Sequence, residues 1–118
     1  MFKILIVEDD RGIAEGIQSL LEQWGMEARQ VQDFRNITGE FETYQPHLIL
    51  LDIKLPSYGG YYWCGQLRQR TAAPIIFISS AADNMNIVMA MNMGGDDFIA
   101  KPFDGSVLVA KVQAMLRG

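Results

Sequence analysis

Residues 4–10 read ILIVEDD and residues 48–52 read LILLD, and each is a short run of aliphatic side chains that stops at carboxylates. Four apolar residues without polar alternation are the pattern of a parallel strand covered on both faces. Similar runs stand at 75–78 and 98–100, so four buried strands are expected. A fifth candidate, 27–32, sets Ala28 and Val31 among Arg29, Gln30 and Gln32, a polarity suited to the margin of a sheet. Between the runs, apolar residues recur at helical spacing. Ile13, Ile17, Leu20, Leu21 and Trp24 make one stripe ahead of Gly25, and Leu108, Val112, Met115 and Leu116 make another ahead of Gly118. Lys111 and Arg117 lie in the carboxyl-terminal half of that last helix, where the dipole favours cations. Strand and helix alternate five times, which predicts an α/β fold with one doubly wound, five-stranded parallel sheet and five helices.

The chain has 118 residues, enough for one domain over 1–118 with a substantial core, and no linker or repeat interrupts it. Its formal net charge of −4 disfavours direct binding to nucleic acid, which needs clustered Lys and Arg. The single cysteine, Cys64, has no partner for an internal disulfide, and the short apolar run after Met1 is broken by Lys3. No apolar stretch reaches the roughly 18 to 20 residues that cross a bilayer. A cytoplasmic protein without direct membrane contact is expected.

In doubly wound sheets, ligands gather beyond the carboxyl ends of the strands. The residues there are Glu8, Asp9 and Asp10 after the first run, Asp52 after the third, Ser79 after the fourth and Lys101 after the fifth. Any one acidic residue at a strand end is more often a turn or cap residue than a ligand. Asp10, which immediately precedes the first helix, is assigned that capping role. The remaining carboxylates, brought together, would repel one another unless a cation restores charge balance. Oxygen-only ligands without His or Cys suit Mg2+, with Mn2+ as a possible substitute, and not zinc. Asp52 is then a carboxylate nucleophile for a phosphoryl group, with Lys101 and the Ser79 hydroxyl receiving two phosphate oxygens. Pro102 restricts the backbone of Lys101 and can impose a cis bond. His47 is no relay: it opens the third strand, five residues and roughly 17 Å from Asp52.

These segments in this order, ILIVEDD (4–10), LILLDIKLP (48–56), IIFISSA (75–81) and GGDDFIAKPF (94–103), resemble the receiver domains of two-component response regulators along the whole chain. The resemblance implies a flavodoxin-like sheet of order 2-1-3-4-5. It makes Asp52 the phosphoacceptor, Asp9 and Asp52 direct metal ligands, Glu8 a ligand through water, and the backbone carbonyl of Lys54 a further ligand. Ser79 and Phe98 become switch residues: as the serine moves toward the phosphate, the aromatic ring turns inward. A sensor histidine kinase is the implied phosphodonor, and the chain would act as a switch and not as a turnover enzyme. The ending KPFDGSVLVAKVQAMLR (101–117) is similar to the OmpR/PhoB branch, whose receivers dimerise on phosphorylation and are followed by a winged-helix DNA-binding domain. DNA would be reached only through that domain. LPSYGGYYWCGQLR (55–68) and SSAADNMNIVMAMNMGGDDFI (79–99) resemble more narrowly the regulators that answer bacitracin-type antimicrobial peptides in Gram-positive bacteria.

Two departures from that branch stand out. Val107 and Lys111 occupy positions where it usually carries a Glu and an Arg for inter-subunit ion pairs, and residues 84–95 contain no charge at all. On a helical wheel Ile87, Val88 and Met91 face the sheet and leave Met85, Met89 and Met93 outward, a candidate contact surface. Three rival readings fall away. A haloacid dehalogenase-like phosphatase needs a second carboxylate two residues after the nucleophile, where Lys54 stands. A nucleotide-binding module needs a glycine-rich phosphate loop after the first strand, where carboxylates stand. A pseudo-receiver would have lost the acceptor, the acidic pair or the lysine, and none is lost here.

Overall fold

A computed structural model describes residues 1–118. Five strands, β1 (Lys3–Val7), β2 (Glu27–Gln30), β3 (Leu48–Asp52), β4 (Ile75–Ser79) and β5 (Asp97–Ala100), alternate with five helices. The helices are α1 (Arg11–Gln23), α2 (Ile37–Tyr44), α3 (Gly60–Arg68), α4 (Asn84–Asn92) and α5 (Gly105–Arg117). All strand pairs are parallel, in the order β2-β1-β3-β4-β5.

Because successive side chains on a strand point to opposite faces, each buried run feeds two cores. Leu5, Val7, Ile49, Leu51, Ile75 and Phe77 pack on one face against Ile37 and Phe41 of α2, Trp63 and Leu67 of α3, and Ala90 of α4. Ile4, Ile6, Leu48, Leu50, Ile76 and Ile78 pack on the other against Ala14, Ile17 and Leu21 of α1 and Leu108 and Val112 of α5. This two-sided burial explains why β1, β3 and β4 lack polar alternation.

β5 lies at the edge, as the order 2-1-3-4-5 implies, and Ile99 is its only buried residue, so its apolar run is not covered in the way those of β1, β3 and β4 are. Two expectations about the helices also need correction. Trp24 is not part of the buried stripe of α1; it caps that helix and is 56% exposed, while Ala14 supplies the fully buried contact that the stripe omitted. Val88 does not face the sheet. It is 56% exposed, and the inward position of α4 is taken by Ala90, with Ile87 and Met91 half-buried. The wheel misplaced Val88 because α4 presents only a narrow line of residues to the sheet.

Candidate functional site

The parallel register places Val7 beside Leu51 and Asp52 beside Ile78, so the chain segments leaving β1 and β3 emerge side by side. Asp10 turns away to cap α1, accepting the backbone N–H of Ile13 at 3.1 Å, as its position before the helix predicts. Glu8 accepts the Asp10 N–H at 3.2 Å and stays buried. Carboxylate oxygens of Glu8, Asp9 and Asp52 lie within 4.8 Å of one another, with Glu8 and Asp52 buried and Asp9 exposed. Lys101, carried just past β5 on a cis Lys101–Pro102 bond, sends its ammonium between them. It donates to Glu8 Oε1 and, at 3.0 Å, to Asp52 Oδ2. The other oxygen of Asp52, Oδ1, accepts its neighbour's N–H from Ile53 at 2.7 Å.

The electrostatics follow from this crowding. Burial, together with the adjacent Asp52, pushes Glu8 up to about 7 even though the Lys101 hydrogen bond pulls it down. Burial also pulls on Lys101, but its hydrogen bonds to Glu8 and Asp52 outweigh this and hold the ammonium above its ordinary value. One half-buried cation beside three carboxylates does not balance the cluster. An oxygen-only trio with surplus negative charge fits a hard dication such as Mg2+, and the exposed Asp9 gives it a side open to water.

The trio opens into a cavity of about 1010 Å³ whose rim includes Lys54, Ser80, Pro102, Phe103 and the α1 residues Gly12, Ile13 and Gly16. Ser79 is buried at the end of β4, and its hydroxyl oxygen accepts the Ala81 N–H at 3.1 Å. Ser80, which does reach the rim, is not singled out by the sequence, nor are Gly12, Gly16 and Phe103. The run of two serines after β4 is the one available signal for Ser80. Phe98 is half-buried against the core face that holds Phe77 and Ala90. His47 sits at the opposite end of β3, where its Nδ1 accepts the Lys3 N–H at 2.9 Å and its ring meets Phe2 edge-on.

A family model described as the response regulator receiver domain matches residues 4–113. The chain belongs to this family. Among the receiver's relatives, the response regulator protein GraR of Staphylococcus epidermidis is 44% identical over 98% of this chain and 51% of its own length. The sensory transduction protein BceR of Halalkalibacterium halodurans is 44% identical over 99% of this chain and 51% of its own. The receiver thus spans about half the length of these curated relatives. Among solved structures, the N-terminal domain of the nisin resistance regulator NsrR, a lantibiotic response regulator, superposes with a TM-score of 0.91. It shares 49% identity, with 99% of both chains covered. No helix of this receiver is long and apolar enough to cross a membrane.

Proposed function

We propose that Asp52 accepts a phosphoryl group from a sensor histidine kinase, and that this changes the surface formed by α4, β5 and α5 to control a transcriptional output domain. The observation that carries the reading is the ammonium of Lys101 reaching both Glu8 and Asp52 beside Asp9. A carboxylate nucleophile, a cation for the incoming oxygens and a set of metal-ligating oxygens meet at one open rim. An oxygen of Asp52 attacks phosphorus, the P–N bond to the kinase imidazole breaks, and its electron pair stays on the ring nitrogen. Asp9, Asp52 and the Lys54 carbonyl would hold Mg2+ or Mn2+ directly, with Glu8 acting through water. The bound ion supplies neutralisation of charge on the transferred oxygens.

Lys101 exchanges its carboxylate partners for a phosphoryl oxygen. The Ser79 hydroxyl, which now accepts from Ala81, keeps its own proton available for a second oxygen once the strand end shifts inward. Phe98 follows into the space that Ser79 leaves. With Lys54 where a phosphatase would need a general acid and base, the aspartyl phosphate is hydrolysed slowly, as suits a switch.

The full-length protein would be a cytoplasmic transcription regulator that reaches DNA through a winged-helix domain following this receiver. The named roles of NsrR in nisin resistance and as a lantibiotic response regulator support an antimicrobial-peptide stimulus. On phosphorylation, two copies pair through the uncharged face of α4, where Met85, Val88, Met89 and Met93 are 80, 56, 46 and 37% exposed. Lys111 is engaged within its own chain, at 2.9 Å from Asp97, and Val107 is exposed and apolar. Two identical uncharged stripes meet about a twofold axis without like-charge repulsion.

Incubation with Mg2+ and a small phosphodonor, followed by intact mass measurement, tests the proposal. Wild type should gain one phosphoryl group and Asp52→Asn none. Equal labelling of both, or of neither, overturns it.

A further inference from the structure

Helix α4 is poorly held by the core, since Ala90 is its only buried residue. What holds it instead is a polar ladder on α3. Tyr61, Cys64 and Arg68, at i, i+3 and i+7, lie along one face of that helix. Each bonds to α4 or to the turn that follows it. The Tyr61 hydroxyl faces two acceptors on Asn86, the side-chain Oδ1 at 2.7 Å and the carbonyl at 3.2 Å. Cys64 Sγ meets the Met93 carbonyl at 3.2 Å. Arg68 donates to the Gly94 carbonyl at 2.9 Å, to the Ala73 carbonyl at 2.6 Å and to Asp96 Oδ2 at 2.6 Å.

The rungs differ in strength. At the carboxyl end of α4, the Arg68 guanidinium spans three segments, and Asp96 also accepts the Ile75 N–H at 2.8 Å, which ties this end to the start of β4. At the amino end there is one hydroxyl. Asn86, its partner, belongs to the capping turn of α4: the Asn86 N–H reaches Asp83 Oδ1 at 2.9 Å, and its amide nitrogen reaches Asp83 Oδ2 at 3.2 Å. Asp83 lies four residues beyond Ser79, so the turn that Tyr61 holds is the one that Ser79 would drag. Tyr61 itself cannot follow. Its ring packs on the fully buried Phe77 at 5.8 Å, and its backbone lies in α3.

We infer that Tyr61 is a positioning residue: its hydroxyl latches the amino-terminal half of α4 in the unphosphorylated arrangement, and α4 pivots about the Arg68 anchor when that latch opens. The inference rests on the phosphoacceptor reading of Asp52. A bond made in only one of two states biases their equilibrium by its net worth, and ligand affinity shifts by the same factor.

Tyr61→Phe removes the hydroxyl and keeps the ring against Phe77. Two measurements test it beside wild type. With saturating Mg2+, the variant should bind beryllofluoride, a mimic of the phosphoryl group, about fivefold more tightly by calorimetry. In the unliganded domain, amide hydrogen exchange should quicken at Ile87 and Val88 and stay unchanged at Gly94 and Gly95. A tyrosine that merely supports the fold would speed exchange throughout α4 and leave affinity unchanged or weaker, and either result overturns the latch. If wild type itself binds no beryllofluoride, the phosphoacceptor reading fails, and the exchange pattern alone decides whether Tyr61 positions α4.

Discussion

Glu8 is the residue whose chemistry is most exposed to test. Its proton is held up to about pH 7 by burial and by Asp52, and a dication at the proposed site, with Glu8 acting through water, favours loss of that proton. Mg2+ affinity, measured by titration across pH 5.5 to 8.5 (~3 units), should be flat above about 7 and fall up to about tenfold per unit below it. In Glu8→Gln this particular dependence should disappear along with part of the affinity. Affinity that ignores pH through this window would contradict the charge balance described for the cluster. The sign for folding is the reverse of an ordinary surface carboxylate. Because folding raises this acid's pKa, the metal-free domain loses stability as pH rises from the ordinary carboxylate range to about 7. Glu8, Asp9, Asp52 and Lys101 were legible in the sequence because each follows an apolar run. The direction of the Ser79 hydroxyl was not, since a serine's rotamer depends on the loop that follows it, here through the Ala81 N–H.

Among the elements, α3 presses most closely on the backbone that carries Asp52, the proposed acceptor. Its first residue, Gly60, crosses the end of β3 so closely that a Cβ there would lie 2.0 Å from the Asp52 carbonyl oxygen. Its N–H meanwhile bonds the Ile53 carbonyl at 2.7 Å. Gly60→Ala should therefore cost about 2–3 kcal/mol in urea unfolding. It should also weaken Mg2+ binding, because the backbone that gives way carries Asp52. An alanine variant with wild-type stability and affinity would show that this crossing is slack. Periodicity served well for α1 and α5, whose stripes face a broad sheet, and located the edge strand β2 from its mixed polarity. It failed for Trp24 at a helix end and for Val88 on a helix that offers the core one small residue. It overstated the burial of β5, because an apolar triplet reads alike at the margin and at the centre of a sheet; the edge position came from the strand order that the family resemblance implied.

At the scale of the whole molecule, the end of β4 that carries Ser79 is joined to α4 by the short connection 80–83. The uncharged stripe of α4 predicts association driven by apolar contact, weakly sensitive to salt. Met89→Glu should abolish dimerisation of the phosphorylated or beryllofluoride-loaded domain by sedimentation while leaving Mg2+ affinity intact. Association equal to wild type would assign the contact elsewhere. That receiver domains share this architecture was readable from the order of motifs, whereas the stripe's true membership, with Val88 in it, required the packing of α4.

A crystal structure grown with Mg2+ and beryllofluoride tests the central claim most directly. It should place beryllium on a carboxylate oxygen of Asp52 and the ion against Asp9 and Asp52. The Lys101 ammonium should be drawn off Glu8 onto a fluoride. Beryllofluoride bound elsewhere, or Lys101 still bridging Glu8 and an unmodified Asp52 beside the loaded ion, would contradict the account.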